Sequence, residues 1–263
     1  MVERIKKGDI AMRDFIFSNV LREIVHNKVS RNFLLKKLDS YLYTTIVENS
    51  KENLKEVQEK KYRFMNSMLR SSVRNVEKGY FSKSVFKRII HVLVENSFLN
   101  KQQYSDKLEN FKQQYGEYPP NFIVLSPTQR CNLNCTGCYA SSNARTSATL
   151  PYHMVDQIVH EVRNNFHSRF VTISGGEPFM YKSEGKTLLD LFEKYDDVFF
   201  LVSTNGTLIS QEVADRLGRM GNVTPAISVE GFEQDTDKRR GKGTHQKILQ
   251  AFDHLRKAGV PIG

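Results

Sequence analysis

The chain contains three cysteines, Cys131, Cys135 and Cys138, and all three fall within eight positions. Thiolates at spacings of four and three residues can wrap one metal centre from a single loop. A closed tetrahedral site takes four protein ligands, so here one coordination position is left open or is filled from elsewhere. Clustered thiolates suit zinc and iron–sulfur centres alike. A structural zinc would need a fourth ligand, and none of the seven histidines lies within the loop, although His153 is near in sequence. A site-differentiated [4Fe–4S] cluster needs only three cysteines and leaves one iron free for a small molecule, which accounts for the number of thiolates. An odd, clustered set of thiols also fits a reducing compartment better than a disulfide framework.

The elements around this loop form a repeating pattern. Gly116-Glu117-Tyr118-Pro119-Pro120 reads as a turn and Phe122–Leu125 as a strand that delivers the cysteine loop from its C-terminal end. Residues 151–166 read as a helix, with Thr149 as a candidate cap and Pro151 near the first turn. A second strand, Arg169–Ser174, ends in Gly175-Gly176-Glu177-Pro178. After a helix at 186–195, a third strand, Val198–Val202, ends in Ser203-Thr204-Asn205-Gly206. A helix at 209–219 leads to Thr224–Val229, which ends in Glu230-Gly231; the helix 244–258 follows, and Val260-Pro261-Ile262 begins another strand. Strand followed by helix, four times over, predicts an α/β fold with a parallel sheet and right-handed crossovers. Such sheets and barrels place their sites at the C-terminal ends of the strands. Too little chain follows the fourth unit to close a barrel, which predicts a fragment of a longer protein.

Upstream, the sequence changes character. Residues 1–115 hold 23 Lys and Arg against 13 Asp and Glu, whereas residues 116–263 hold 16 of each, so the whole net charge of +10 lies in the first part. Before residue 116 there are only two glycines, Gly8 and Gly79, and no proline. Apolar residues recur at helical spacing: Phe15, Val20, Leu21 and Ile24; Leu34, Leu38, Tyr41 and Leu42; Phe64, Met68 and Leu69; and Val85 to Val94 behind Ser82 and Ser84 as candidate caps. These features predict a basic helical accessory domain at 1–115 and a separate α/β domain at 116–263. The excess charge is either a solvated face or a surface for an acidic partner such as RNA or anionic lipid. No apolar run approaches the roughly 18 residues of a membrane span and no signal core follows the N-terminus, so the expected location is cytoplasmic.

The cysteine spacing resembles the Cys-x3-Cys-x2-Cys signature of the radical S-adenosylmethionine (SAM) superfamily, and the resemblance extends over about residues 120–263. It implies a partial TIM-like (β/α) barrel of the radical SAM type, incomplete at the C-terminus, with a [4Fe–4S] cluster on Cys131, Cys135 and Cys138 and SAM on the open iron. Gly175, Gly176, Glu177 and Pro178 look like the family's SAM amino-group motif, in which glycines let backbone carbonyls approach the ammonium and the carboxylate adds complementary charge. Ser203 and Asn205 resemble the polar end of the third strand, and Ser228 to Gly231 the ribose-contacting fourth-strand segment, with Glu230 accepting from the hydroxyls. Arg239 or Arg240 would pair with the methionyl carboxylate. The plain alternatives are a turn at Ser203 and Asn205, a helix cap at Glu230 and a solvated loop at Lys238–Arg240. Many members carry an aromatic residue before the third cysteine; this chain has Gly137 there and Tyr139 after it, which the resemblance places on the adenine side.

The resemblance further implies that an electron from the reduced cluster cleaves SAM into methionine and a 5′-deoxyadenosyl radical, which abstracts hydrogen from a substrate. An electron donor such as flavodoxin or ferredoxin is expected. The motif Cys-Asn-Leu-Asn-Cys-Thr-Gly-Cys-Tyr with Ser-Val-Glu-Gly is most like the branch of peptide- and protein-modifying (SPASM-type) enzymes. The rival is a non-catalytic zinc- or Fe–S-binding module with a basic helical RNA-binding domain.

Overall fold

The computed structural model describes residues 28–48, 54–82, 84–85, 88, 101–120, 123–143, 145 and 148–263. The chain forms two compact units, Met1–Phe81 and Ser82–Gly263. In the first, helix α1 (Lys28–Tyr43) runs into a π-turn at Thr44–Glu48, and α2 spans Lys55–Glu77. A polar bridge joins these helices: the Tyr62 hydroxyl donates to Asp39 Oδ1 at 2.6 Å, Arg70 reaches Asp39 Oδ2 at 3.3 Å, and the Tyr43 and Tyr62 rings meet edge to face. Phe64, expected to continue an apolar stripe, is instead exposed, as are Val57 and Met65 on the same helix. The expected first helix, Phe15 to Ile24, lies outside the described residues.

The second unit begins with Ser82, whose hydroxyl accepts from the Val85 N–H at 3.1 Å as a helix cap does; most of the stretch beyond it, to Val94, is outside the described residues. Helix α3 (Lys101–Tyr115) precedes strand β1 (Ile123–Leu125). The chain then alternates: α4 (Tyr152–Asn164), β2 (Phe170–Ile173), a short hairpin β3–β4 (Lys182–Ser183, Lys186–Thr187), α5 (Leu188–Lys194), β5 (Phe199–Thr204), α6 (Gln211–Met220), β6 (Val223–Ile227), α7 (Glu233–Arg240) and α8 (Thr244–Lys257). Strands β1, β2, β5 and β6 form one parallel sheet in that order. Each long strand pairs with the next in sequence, with helix between, which is the order of a β/α barrel and not of a doubly wound sheet. Four strands make this a partial barrel.

Residue alternation sets the two faces of the sheet. Phe200 and Val202 are fully buried, and the Phe200 ring packs 4.6 Å from that of Phe192 on α5. With Val171 and Ile173 of β2 and Val155, Val159 and Val162 of α4, they build the core under the helices. Asn222 ties this layer together. Its buried Nδ2 donates to the carbonyls of Phe192, Tyr195 and Val198 at 3.0–3.1 Å. Helix ends follow their local chemistry: Ser210 caps α6 through the Val213 N–H, Gly221 closes it with φ +74°, and Thr187 and Asp190 form a capping box on α5.

Two sequence expectations are corrected here. No strand forms at Val260–Ile262; Gly263 alone joins β6, accepting from the Ile227 N–H and donating to Pro225 O. Pro261 has no N–H to offer a ladder. Thr149 does not cap α4, whose N-cap is Pro151; its hydroxyl instead meets that of Thr128 at 2.8 Å.

Candidate functional site at the strand ends

The turn after β2 and the segment leading into Cys131 are laced together. Gly176 N–H donates to Thr128 O at 2.8 Å and Glu177 N–H to Arg130 O at 2.7 Å. This approach excludes side chains. A Cβ on Gly176 would lie 2.2 Å from Arg130 O, and one on Gly175, which has φ +105°, would lie 2.6 Å from Thr128 O. Within the protein, then, both glycines admit the backbone that carries the cysteine loop.

Glu177 is fully buried, and its carboxylate is held by three donors. Oε1 accepts from the Thr204 hydroxyl at 2.7 Å and the Phe179 N–H at 3.1 Å, and Oε2 from the Asn205 N–H at 2.8 Å. The Phe179 bond caps the 3₁₀ turn Pro178–Met180, with Pro178 at its first position. Burial pushes the Glu177 carboxyl above the usual carboxylate range, against the pull of these donors. The charge expected to face an ammonium group thus also joins the end of β2 to the end of β5.

Asn205 continues the network into the cysteine loop. Its Nδ2 lies 3.7 Å from Cys131 Sγ and 2.8 Å from Asn132 Oδ1, while its Oδ1 accepts from both the N–H and the hydroxyl of Thr207. Asn132 in turn donates to the Thr207 hydroxyl at 2.8 Å. Helix α7, after the fourth strand of the sheet, contributes from the other side: Thr136 N–H donates to Arg239 O at 2.9 Å, and Arg239 Nε returns a bond to Thr136 O at 3.3 Å.

The three cysteines are free thiols, Cys131 buried and the others half-buried. Burial pushes the Cys131 and Cys135 thiols up, for Cys135 against the lowering pull of Arg240. A bound metal's own positive charge reverses that balance. Among the described residues no three His, Cys, Asp or Glu side chains are arranged as a preformed metal site. His153 pairs with Glu184 at 2.6 Å. The donor set itself, three unlinked thiols on one loop with N–H groups aimed at Cys131 Sγ, fits a three-thiolate iron–sulfur cluster.

Glu230 does not cap a helix, and Lys238–Arg240 is no loop but the last turn of α7. Arg240 grips Glu230 with two bonds, Nε to Oε2 at 2.6 Å and Nη2 to Oε1 at 2.7 Å, and Arg239 adds a third at 2.5 Å. The Arg240 bonds hold the Glu230 carboxyl below the usual range. Two guanidinium groups around one carboxylate leave a net positive charge beside the cysteine loop.

Ser203 has the parity of Leu201, on the sheet face opposite Phe200, and Ser228 continues the same face of β6, its N–H bonded to Thr204 O. Tyr139 is 81% exposed, with its hydroxyl 2.7 Å from Ser174 Oγ. Sequence reasoning passed over Thr204, Asn132, Thr207 and Ser174. Strand parity could have marked Ser174, one step beyond the pair Ile173–Val202, as a neighbour of Ser203. Nothing in the pattern marks the loop residues Asn132 and Thr207, which meet across 75 positions.

Comparison with known proteins gives this geometry a family. Fe-coproporphyrin III synthase of Methanosarcina barkeri is 29% identical over 165 residues, covering 60% of this chain and 40% of the relative. Mycofactocin maturase MftC of Mycolicibacterium smegmatis is 33% identical over 141 residues, covering 53% and 35%. The chain thus spans well under half the length of these curated relatives. The crystal structure of Streptococcus suis SuiB bound to S-adenosylmethionine aligns with a TM-score of 0.49 at 19% identity, covering 61% of this chain and 37% of that one. The family profile described as the Radical SAM superfamily matches residues 125–263. That match takes in just over half of the sequence, and the chain belongs to the radical SAM superfamily, whose cofactors are a [4Fe–4S] cluster and S-adenosylmethionine.

Proposed function

We propose that this chain is the cofactor-binding core of a radical SAM enzyme that abstracts hydrogen from a peptide or protein. The observation that carries the reading is the cysteine loop itself: three free thiols at the C-terminal end of a parallel sheet, braced from both sides by the Gly175–Pro178 turn and by Arg239. In this reading Cys131, Cys135 and Cys138 would hold the [4Fe–4S] cluster, and the cluster with SAM would supply the one-electron reductive chemistry that starts hydrogen abstraction.

The chain's residues hold and orient. The Gly175–Pro178 turn faces the amino group, Ser203, Ser228 and Glu230 line the SAM side, and Tyr139 lies toward the adenine. Arg240, its side chain 12% exposed, meets the methionyl carboxylate, for which the surplus positive charge around Glu230 is complementary. Glu177 works from behind, fixing the backbone of Phe179 and Asn205. The core also excludes water and oxygen from the reacting atoms. The preference for a peptide rests on the maturase among the relatives and on the cysteine and Ser-Val-Glu-Gly motifs. The basic excess before residue 116, expected from the sequence as one accessory domain at 1–115, divides between the two compact units, and its positive charge suits an acidic partner, RNA or anionic lipid; a flavodoxin or ferredoxin supplies the electron.

The test is anaerobic reconstitution of the full-length protein with iron and sulfide, followed by dithionite and SAM. The expected result is about four irons per chain and release of 5′-deoxyadenosine. Cysteine-dependent zinc binding with no iron retained would overturn the reading.

A further inference from the structure

Two N–H groups converge on Cys131 Sγ: the Leu133 backbone at 3.4 Å and Asn205 Nδ2 at 3.7 Å. The second comes from a side chain with little freedom. Asn205 is 7% exposed, and its own N–H is bound to the buried Glu177 at 2.8 Å. Its amide orientation is fixed as well. A backbone N–H can only donate, so the Thr207 N–H at 2.9 Å identifies the atom facing it as Oδ1, and the Thr207 hydroxyl at 2.7 Å holds the same oxygen. Nδ2 is thereby turned toward Cys131 and Asn132 Oδ1. The sequence motif alone suggested a contact to SAM for this residue. Its Nδ2 is shared instead between Asn132 Oδ1 and the Cys131 sulfur.

We infer that Asn205 is a positioning residue that sets the reduction potential of the cluster through Cys131. This rests on the reading of Cys131 as a cluster ligand. An N–H aimed at a ligating thiolate draws charge from the sulfur and favours the more negative, reduced cluster, which raises the potential. Burial around Cys131 acts in the opposite sense, since a low-dielectric surrounding disfavours the added electron. Asn205 offsets that cost at the buried cysteine. The Glu177–Asn205–Cys131 chain also links the turn after β2 to the first cysteine through the end of β5.

The experiment is a redox titration of the reconstituted full-length protein, followed by electron paramagnetic resonance of the reduced cluster, with iron per chain measured first. Asn205→Ala removes the donor. It is expected to lower the ratio of reduced to oxidised cluster at fixed poise about tenfold, equivalent to about 59 mV for one electron. Asn205→Asp keeps the shape but replaces the donor with negative charge, and is expected to shift the potential further the same way. Thr207→Val leaves Asn205 in place and removes one of the two donors pinning its Oδ1; a smaller shift of the same sign is expected. It is the deciding variant if the Asn205 substitutions do not retain a cluster. A wild-type protein that binds no cluster overturns the functional reading and this inference with it. A loaded wild type whose potential is matched by the loaded variants overturns the inference alone.

Discussion

Replacing Gly176 with alanine is the sharpest single test of how the cysteine loop is held. The new methyl would lie 2.2 Å from Arg130 O and 2.7 Å from the carbonyl carbons of Arg130 and Gln129. All three are backbone atoms, so no rotamer change can relieve the contact, and the two segments must separate. Overpacking of this kind costs about 1–3 kcal/mol. Separation also lengthens the Gly176–Thr128 and Glu177–Arg130 bonds, each worth about 0.5–1.5 kcal/mol net. Together these give a loss of about 2–6 kcal/mol. The control is Gly185→Ala in the β3–β4 turn, where φ is +74° and nothing lies within 4 Å of the added Cβ; left-handed strain alone costs about 1–2 kcal/mol there. Urea denaturation of the two full-length variants measures the difference, and iron per chain after anaerobic reconstitution reads the loop directly. The expected result is a larger stability loss and defective iron retention for Gly176→Ala only. Equal stability losses with equal iron contents would refute the lacing argument.

Further outcomes follow from buried polar groups. Glu177→Gln keeps one acceptor oxygen but turns an amide N–H₂ toward the donor on the other side, either the Asn205 N–H or the Thr204 hydroxyl and Phe179 N–H, with an expected cost of about 1–3 kcal/mol. Because burial raises the folded-state pKa of Glu177, the wild type's advantage is greatest at low pH and shrinks as pH rises through that value. Urea melts from pH 5 to 8 check this, and an advantage that grows with pH would contradict it. Asn222→Ala leaves the carbonyls of Phe192, Tyr195 and Val198 without their shared donor, for an expected loss of about 2–4 kcal/mol. A loss under about 0.5 kcal/mol, the usual scale of surface substitutions, would show that this buried amide ties nothing together.

The parallel strands were legible because period, length and glycine-rich ends all agreed; β5 and β6 alternate buried and half-buried residues as half-covered strands do. The helix Glu233–Arg240 was not. Its composition is almost wholly charged, and such a stretch carries no apolar period from which a helix could be read. At the site, residue types were readable and their alliances were not. The Gly-Gly-Glu-Pro motif marks a turn, but only the fold reveals Arg130 O against Gly176 and the Asn205 N–H on Glu177. Glu230 and Arg240 were separately recognisable as polar candidates, whereas their mutual grip depends on how α7 leaves β6.

The reciprocal bonds between Thr136 and Arg239 span 103 positions. A chain made from its N-terminus exposes all three cysteines well before the residue that clamps their loop exists, and local contacts alone cannot set it. The loop therefore reaches its final shape only once the fourth β/α unit has formed. On the proposed reading, a chain arrested short of α7 is expected to hold iron poorly, because Cys135 and Cys138 lie on a loop whose Arg239 clamp is missing.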